Sequence, residues 1–97
     1  MDGLGGTGLG HEAITVSTSA IPFTTLPALA NAALVRTETN NLRISLDSTA
    51  PTSSIGIQLF ATDTAPFWIM GRACLVNFKA IRSGAADATL QVSYFAV

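Results

Sequence analysis

The sequence predicts an all-β domain, an antiparallel β-sandwich or jelly-roll-like barrel of roughly seven or eight short strands behind a flexible glycine-rich N-terminal arm. Three observations carry that prediction. Apolar and polar residues alternate with a period of two over several short runs, such as Ala88 to Phe95. Turn-forming residues (Asn40-Asn41, Asp47 to Ser54, Thr62 to Pro66, Ser83 to Asp87) separate those runs at regular intervals. No stretch shows a convincing helical period.

The arm is expected over residues 1–11, where Gly3, Gly5, Gly6, Gly8 and Gly10 are five of the eight glycines of the chain. Such a segment cannot offset its own ordering entropy. Leu4 and Leu9 are the apolar points on it, and with His11 they are the candidates for contact with a partner surface. A single β-sandwich domain is expected over residues 12–97, in line with the 97-residue length.

From Glu12, Ile14 and Val16 alternate with Thr15 and Ser17 as a first strand. Pro22 then interrupts it, because proline cannot donate to a sheet ladder. Leu26 to Asn31 reads as a short turn or a single turn of helix, and Ala33 to Thr39 as a second strand with Leu34, Arg36 and Glu38 on one face and Val35 and Thr37 on the other. Asn40-Asn41 is expected to reverse the chain as a two-residue turn, since asparagine tolerates positive φ. Leu42, Ile44 and Leu46 then point inward. In the following loop, Arg43 and Asp47 are expected to brace the turn and Pro51 to fix its backbone. Ile55 to Ala61, Phe67 to Met70 and Leu75 to Arg82 are further extended segments, with Gly71 as punctuation. Gly84 and Asp87 belong to the last turn, before Leu90, Val92 and Tyr94 line one face of the closing strand.

Charged residues make up only 11% of the chain, with a net charge of −1, while hydrophobic residues make up 48%. Average soluble domains carry roughly 25% charge. A β surface this neutral invites association, so a surface covered by other subunits or by a larger assembly is expected. Arg36, Arg43, Arg72, Lys79 and Arg82 are scattered singly and form no basic stripe, which argues against nucleic-acid binding through phosphates. Neither a signal-peptide pattern nor an apolar run of bilayer length is apparent, so no membrane association is expected. The lone Cys74 rules out an intrachain disulfide and reads as a small core hydrophobe, consistent with synthesis in a reducing cytoplasm.

Catalytic and cofactor motifs fail on physical grounds, and no enzyme activity, cofactor or metal is expected. Gly3-x-Gly5-x-x-Gly8 matches the dinucleotide fingerprint as a string, but no strand precedes it and no βαβ unit follows. His11, the only histidine, has no partners for a zinc site and no rigid support for a catalytic triad. Asp47-Ser48-Thr49 superficially resembles the active-site turn of retroviral-type aspartic proteases, yet Thr49 stands where those dimers need glycine for close approach. Trp68, beside Phe67, is expected in the core or at a subunit interface rather than as a sugar-stacking platform.

Two segments carry a family resemblance. Arg43-Ile44-Ser45-Leu46-Asp47-Ser48-Thr49-Ala50-Pro51-Thr52, followed by Phe78-Lys79-Ala80-Ile81-Arg82 and a hairpin around Gly84-Ala85-Ala86-Asp87-Ala88-Thr89-Leu90, resembles the small β-structured virion proteins of tailed bacteriophages. Ser48 occupies a place where such sequences commonly have glycine. The resemblance implies a structural role as a capsid cement or decoration protein that binds and stabilises the assembled head. Its partner would be the major capsid protein, it would act as a homo-oligomer with a trimer favoured, and its location would be the virion. A neck or tail accessory protein holding a host glycan through a loop such as Thr62 to Pro66 is the alternative it leaves open.

Overall fold

The computed structural model describes residues 7–62 and 65–97 and is an antiparallel β-sandwich. Among the described residues, seven strands and one short helix follow in chain order: β1 Thr7–Val16, β2 Ala32–Glu38, β3 Leu42–Ser45, β4 Ile57–Leu59, β5 Phe67–Met70, α1 Arg72–Val76, β6 Lys79–Arg82 and β7 Ala88–Ala96. Four strands form one sheet in the order β1-β7-β2-β5, and three form the other in the order β4-β3-β6. Every strand pair is antiparallel.

One bent two-strand ribbon joins the layers. β2 runs beside β7 from Ala32↔Phe95 to Glu38↔Thr89, and β3 continues beside β6 from Leu42↔Arg82 to Ser45↔Lys79. The bend falls at Thr39 to Asn41 on one strand and Ser83 to Asp87 on the other. Thr39 takes a positive φ of 70°, and the Asn40 side-chain amide donates to the Asp87 carbonyl at 3.1 Å. Ser83 N–H donates to the Asn41 carbonyl at 3.2 Å, which carries the ladder around the corner. Strands that switch sheets through such bends are the usual corner of a sandwich. The two turns expected to be hairpins are therefore corners: β2 does not pair with β3, nor β6 with β7. The true hairpin is β3–β4, from Leu42↔Leu59 to Ile44↔Ile57.

The segment after β1 crosses to the second sheet and extends it. Ile21 exchanges both backbone bonds with Ala80 at 2.9 Å, and Arg82 N–H donates to the Ser17 carbonyl at 3.0 Å. Pro22 ends this pairing. Two other expectations change. β1 includes residues 7–11, which are paired strand where an arm was expected, with a register shift between Gly8 and Gly10. Arg72–Val76 is one turn of helix where the chain was expected to be extended or turning.

The core lies between the sheets, where the alternation places it. Ile14 and Val16, Ala33 and Val35, Leu90, Val92 and Tyr94, and Ile69 face inward from the larger sheet; Leu42, Ile44, Leu59 and Ala80 oppose them. Leu75 from α1 and the stacked pair Phe23–Phe78 close the remaining space. Thr37 is the one buried polar side chain among the described residues, and its hydroxyl is satisfied by the Asn40 carbonyl at 2.7 Å.

Candidate functional site

Geometry singles out the outer face of the larger sheet. In antiparallel register, residues directly opposite share a face. His11 pairs with Ser93, Ser93 with Leu34, and Leu34 with Trp68, so these four form one row across all four strands. The next outward row is Gly8, Phe95, Ala32 and Met70. Trp68 is 39% exposed and Met70 52%. The indole leans across the sheet to Phe95, with ring centroids 5.3 Å apart, and Ala32 is fully buried although it sits on the outward face.

On the other side of the His11 row the face turns polar. Arg36 lies 3.7 Å from the Glu38 carboxylate, and the Gln91 side chain donates to Glu38 at 3.2 Å. A shallow depression of about 240 Å³ marks the border, lined by His11, Leu34, Arg36, Pro66, Gln91 and Ser93. The face thus has an apolar half and a hydrogen-bonding half that meet at this depression. Its shape offers broad, shallow contact area.

Of the four residues expected at a partner surface, His11 and Trp68 share this row. Leu9 is half-buried and packs against the core, and Leu4 lies outside the described residues. Trp68 is on the surface, not in the core, because the outward phase of β5 alternates with buried Ile69. Met70, Leu34 and Phe95 were not singled out in the sequence. The alternation Phe67-Trp68-Ile69-Met70 was the available signal, since it sets Met70 on the same side as Trp68. Of the Thr62 to Pro66 loop, residues 63 and 64 lie outside the described residues.

The turn residues have separate, structural partners. The Arg43 guanidinium donates to the Ser53 carbonyl at 3.1 Å, the Gly56 carbonyl at 2.9 Å and the Gln58 side chain at 3.1 Å, and so pins the β3–β4 loop. Asp47 accepts from Thr49 N–H at 3.1 Å. Ser48 has a φ of 68°, a left-handed conformation that glycine adopts without cost. Pro51 is buried, Gly84 is exposed, and Asp87 pairs with Arg82 at 2.8 Å.

Among the described residues, Glu12 is the most highly coordinated carboxylate. It accepts from the Thr24 hydroxyl, the Thr25 backbone N–H at 2.9 Å and the Tyr94 hydroxyl. Partial burial raises its pKa, but these donors outweigh burial and hold it below the ordinary 4.5. Burial and the facing carboxylate push the Tyr94 hydroxyl well above the usual phenol range. Each oxygen of this cluster already has a partner, so it serves as a clamp. Among the described residues no group of histidine, cysteine, aspartate or glutamate is arranged to hold a metal ion. Also among the described residues, no helix is long and apolar enough to cross a membrane.

No protein-family model, curated protein or solved structure matches this chain.

Proposed function

We propose that this protein is a structural component of a phage particle, a capsid cement or decoration protein that docks as a homo-oligomer on the assembled head. The carrying observation is the outer face of the larger sheet, where Trp68, Met70 and Phe95 form an apolar half beside the polar Arg36–Glu38–Gln91 half. A face of this kind suits docking: aromatic and methionine side chains form the contact, and a polar rim sets its register. The low charge of the chain supports the same reading, as does the resemblance of the Asp47 to Thr52 turn and the Phe78 to Leu90 segment to virion proteins.

Cement works by mass action. A protein that binds the assembled lattice and not the loose subunit stabilises the lattice, and many copies multiply a weak contact. Purified particles with the protein should lose their DNA at a higher temperature than particles stripped of it. Equal midpoints would remove the cement role. Quantitative mass spectrometry should find the chain near the abundance of the major capsid protein; a few copies per particle would move it to the neck or tail.

The exposure of Trp68, one strand away from the depression that His11, Leu34 and Arg36 line, favours one second reading, a tail or neck module that stacks a host glycan on the indole. A glycan array separates the two, because cement requires no sugar recognition.

A further inference from the structure

β5 is an edge strand, and the phase of its ladder decides which of its backbone groups are free. Gly71 N–H donates to the Asn31 carbonyl at 2.7 Å. Carried up the register, this makes Ala33–Ile69 and Val35–Phe67 the hydrogen-bonded pairs with β2, while Ala32–Met70 and Leu34–Trp68 are the non-bonded ones. The N–H and C=O of Trp68 and Met70 therefore point away from β2, into the open edge of the sheet. Among the described residues, no backbone bond outside the strand ladder takes up these groups. Among the described residues, the two β5 residues whose main chain has no partner are thus the same two whose apolar side chains are exposed on the outer face.

We infer that β5 is a self-pairing edge: two copies of this chain join through antiparallel β5–β5 pairing about a twofold axis at Ile69. Placing Ile69 opposite Ile69 of the second copy sets Trp68 opposite Met70 in both directions. Each of these is a hydrogen-bonded pair, so every free N–H and C=O of Trp68 and Met70 finds a partner. The strand Phe67-Trp68-Ile69-Met70 has no charge, so self-pairing sets no like charges against each other. The pairing also lays the indole of one copy beside the exposed thioether of the other and merges the two apolar halves. Proteins blunt open edges with lysine, an internal proline or a bulge. β5 has none of these within its span, only shortness and the flanking Pro66. The opposite edge, β1, exposes Ala13 and Thr15 and offers no comparable apolar area. The twofold goes beyond the capsid reading, which favours a threefold, and does not rest on it.

The test uses the free protein alone, so its outcome is independent of any shell. Sedimentation equilibrium at tens of micromolar should give the mass of two chains. Met70→Lys, which puts a charge in the paired edge, and Met70→Pro, which removes an outward N–H without breaking the β2 ladder, should both fall to the mass of one chain. Ala13→Lys, on the other edge, should leave the two-chain mass unchanged. In the wild type, hydrogen exchange at the Trp68 and Met70 amides should slow by tenfold or more as concentration rises through the association range. A one-chain or three-chain wild-type mass would overturn the pairing. So would a dimer that survives both Met70 variants, a dimer lost in Ala13→Lys, or fast exchange at both amides at every concentration.

Discussion

The Tyr94 hydroxyl donates to the Glu12 carboxylate and links β7 to β1 on the inner side of the larger sheet, while the same carboxylate holds Thr24 and Thr25 of the crossing segment. This clamp has a defined pH signature. Glu12 has a folded pKa below its ordinary 4.5, so its contribution is present above that pH and is lost as pH falls through the folded value. Tyr94 has a folded pKa above its ordinary 10.0, so its contribution is present below pH 10.0 and is lost as pH rises beyond it. Thermal melting across pH should give a plateau with an acid limb starting below about 4.5. Glu12→Gln should flatten that acid limb and cost about 1–2 kcal/mol at neutral pH, a modest figure because the carboxylate is only partly buried. An unchanged acid limb in Glu12→Gln would assign the acid sensitivity to other carboxylates.

Phe78 should be among the costliest residues to truncate. It is 1% exposed and stacks on Phe23 with ring centroids 3.9 Å apart and planes within 4°. Phe23 in turn meets Tyr94 edge to face at 5.3 Å. Phe78→Ala should cost about 3–5 kcal/mol in chemical denaturation, a large share of the roughly 5–15 kcal/mol that holds a domain together. Ile57→Ala, at a position 48% exposed, should cost well under that.

Two glycines should respond in opposite ways. At Gly56 φ is +129°, and an added Cβ would lie 3.0 Å from the Ile44 carbonyl oxygen and 3.1 Å from the Pro51 Cβ. Gly56→Ala should therefore destabilise by about 1–3 kcal/mol and loosen the loop that Arg43 pins. Gly84 has open space around it and no positive φ, so Gly84→Ala should be neutral or stabilise by up to about 1 kcal/mol through the unfolded state. Denaturant midpoints of the two variants, moving in opposite directions from wild type, would establish the contrast.

The strands were legible where side chains alternate, and the connections were not. Val35 and Thr37, or Leu90, Val92 and Tyr94, announce an inward face because burial demands a period of two. Asn40-Asn41 and Ser83 to Asp87 announce a change of direction, but the same residues serve a hairpin and a sandwich corner, and only long-range pairing decides between them. The first residues of β1 were hidden because glycines have no side chain to alternate; that stretch is held by backbone bonds to β7. α1 is too short for any helical period to register. At the candidate site, Trp68 and His11 stood out as single residues. Their common row follows from the register of four strands, all of them distant in sequence from one another.

Trp68 offers the most direct check on that face, because it is the only tryptophan in the chain and every emission change reports on it. With 39% of its surface exposed and one side of the ring against Phe95, it should emit at an intermediate wavelength and be readily quenched by acrylamide in dilute solution. Burial of the outer face removes water from the remaining side of the ring. Emission should then move to shorter wavelength, and the quenching constant should fall by about twofold or more when stripped capsids are added, since interface cores are as tightly packed as protein interiors. Met70→Lys, which places a charge one row from the indole, should abolish the shift while leaving the spectrum of the dilute protein close to wild type. If the wild-type spectrum and quenching are the same with and without capsids, a surface other than this face makes the contact, and the smaller sheet becomes the one to test.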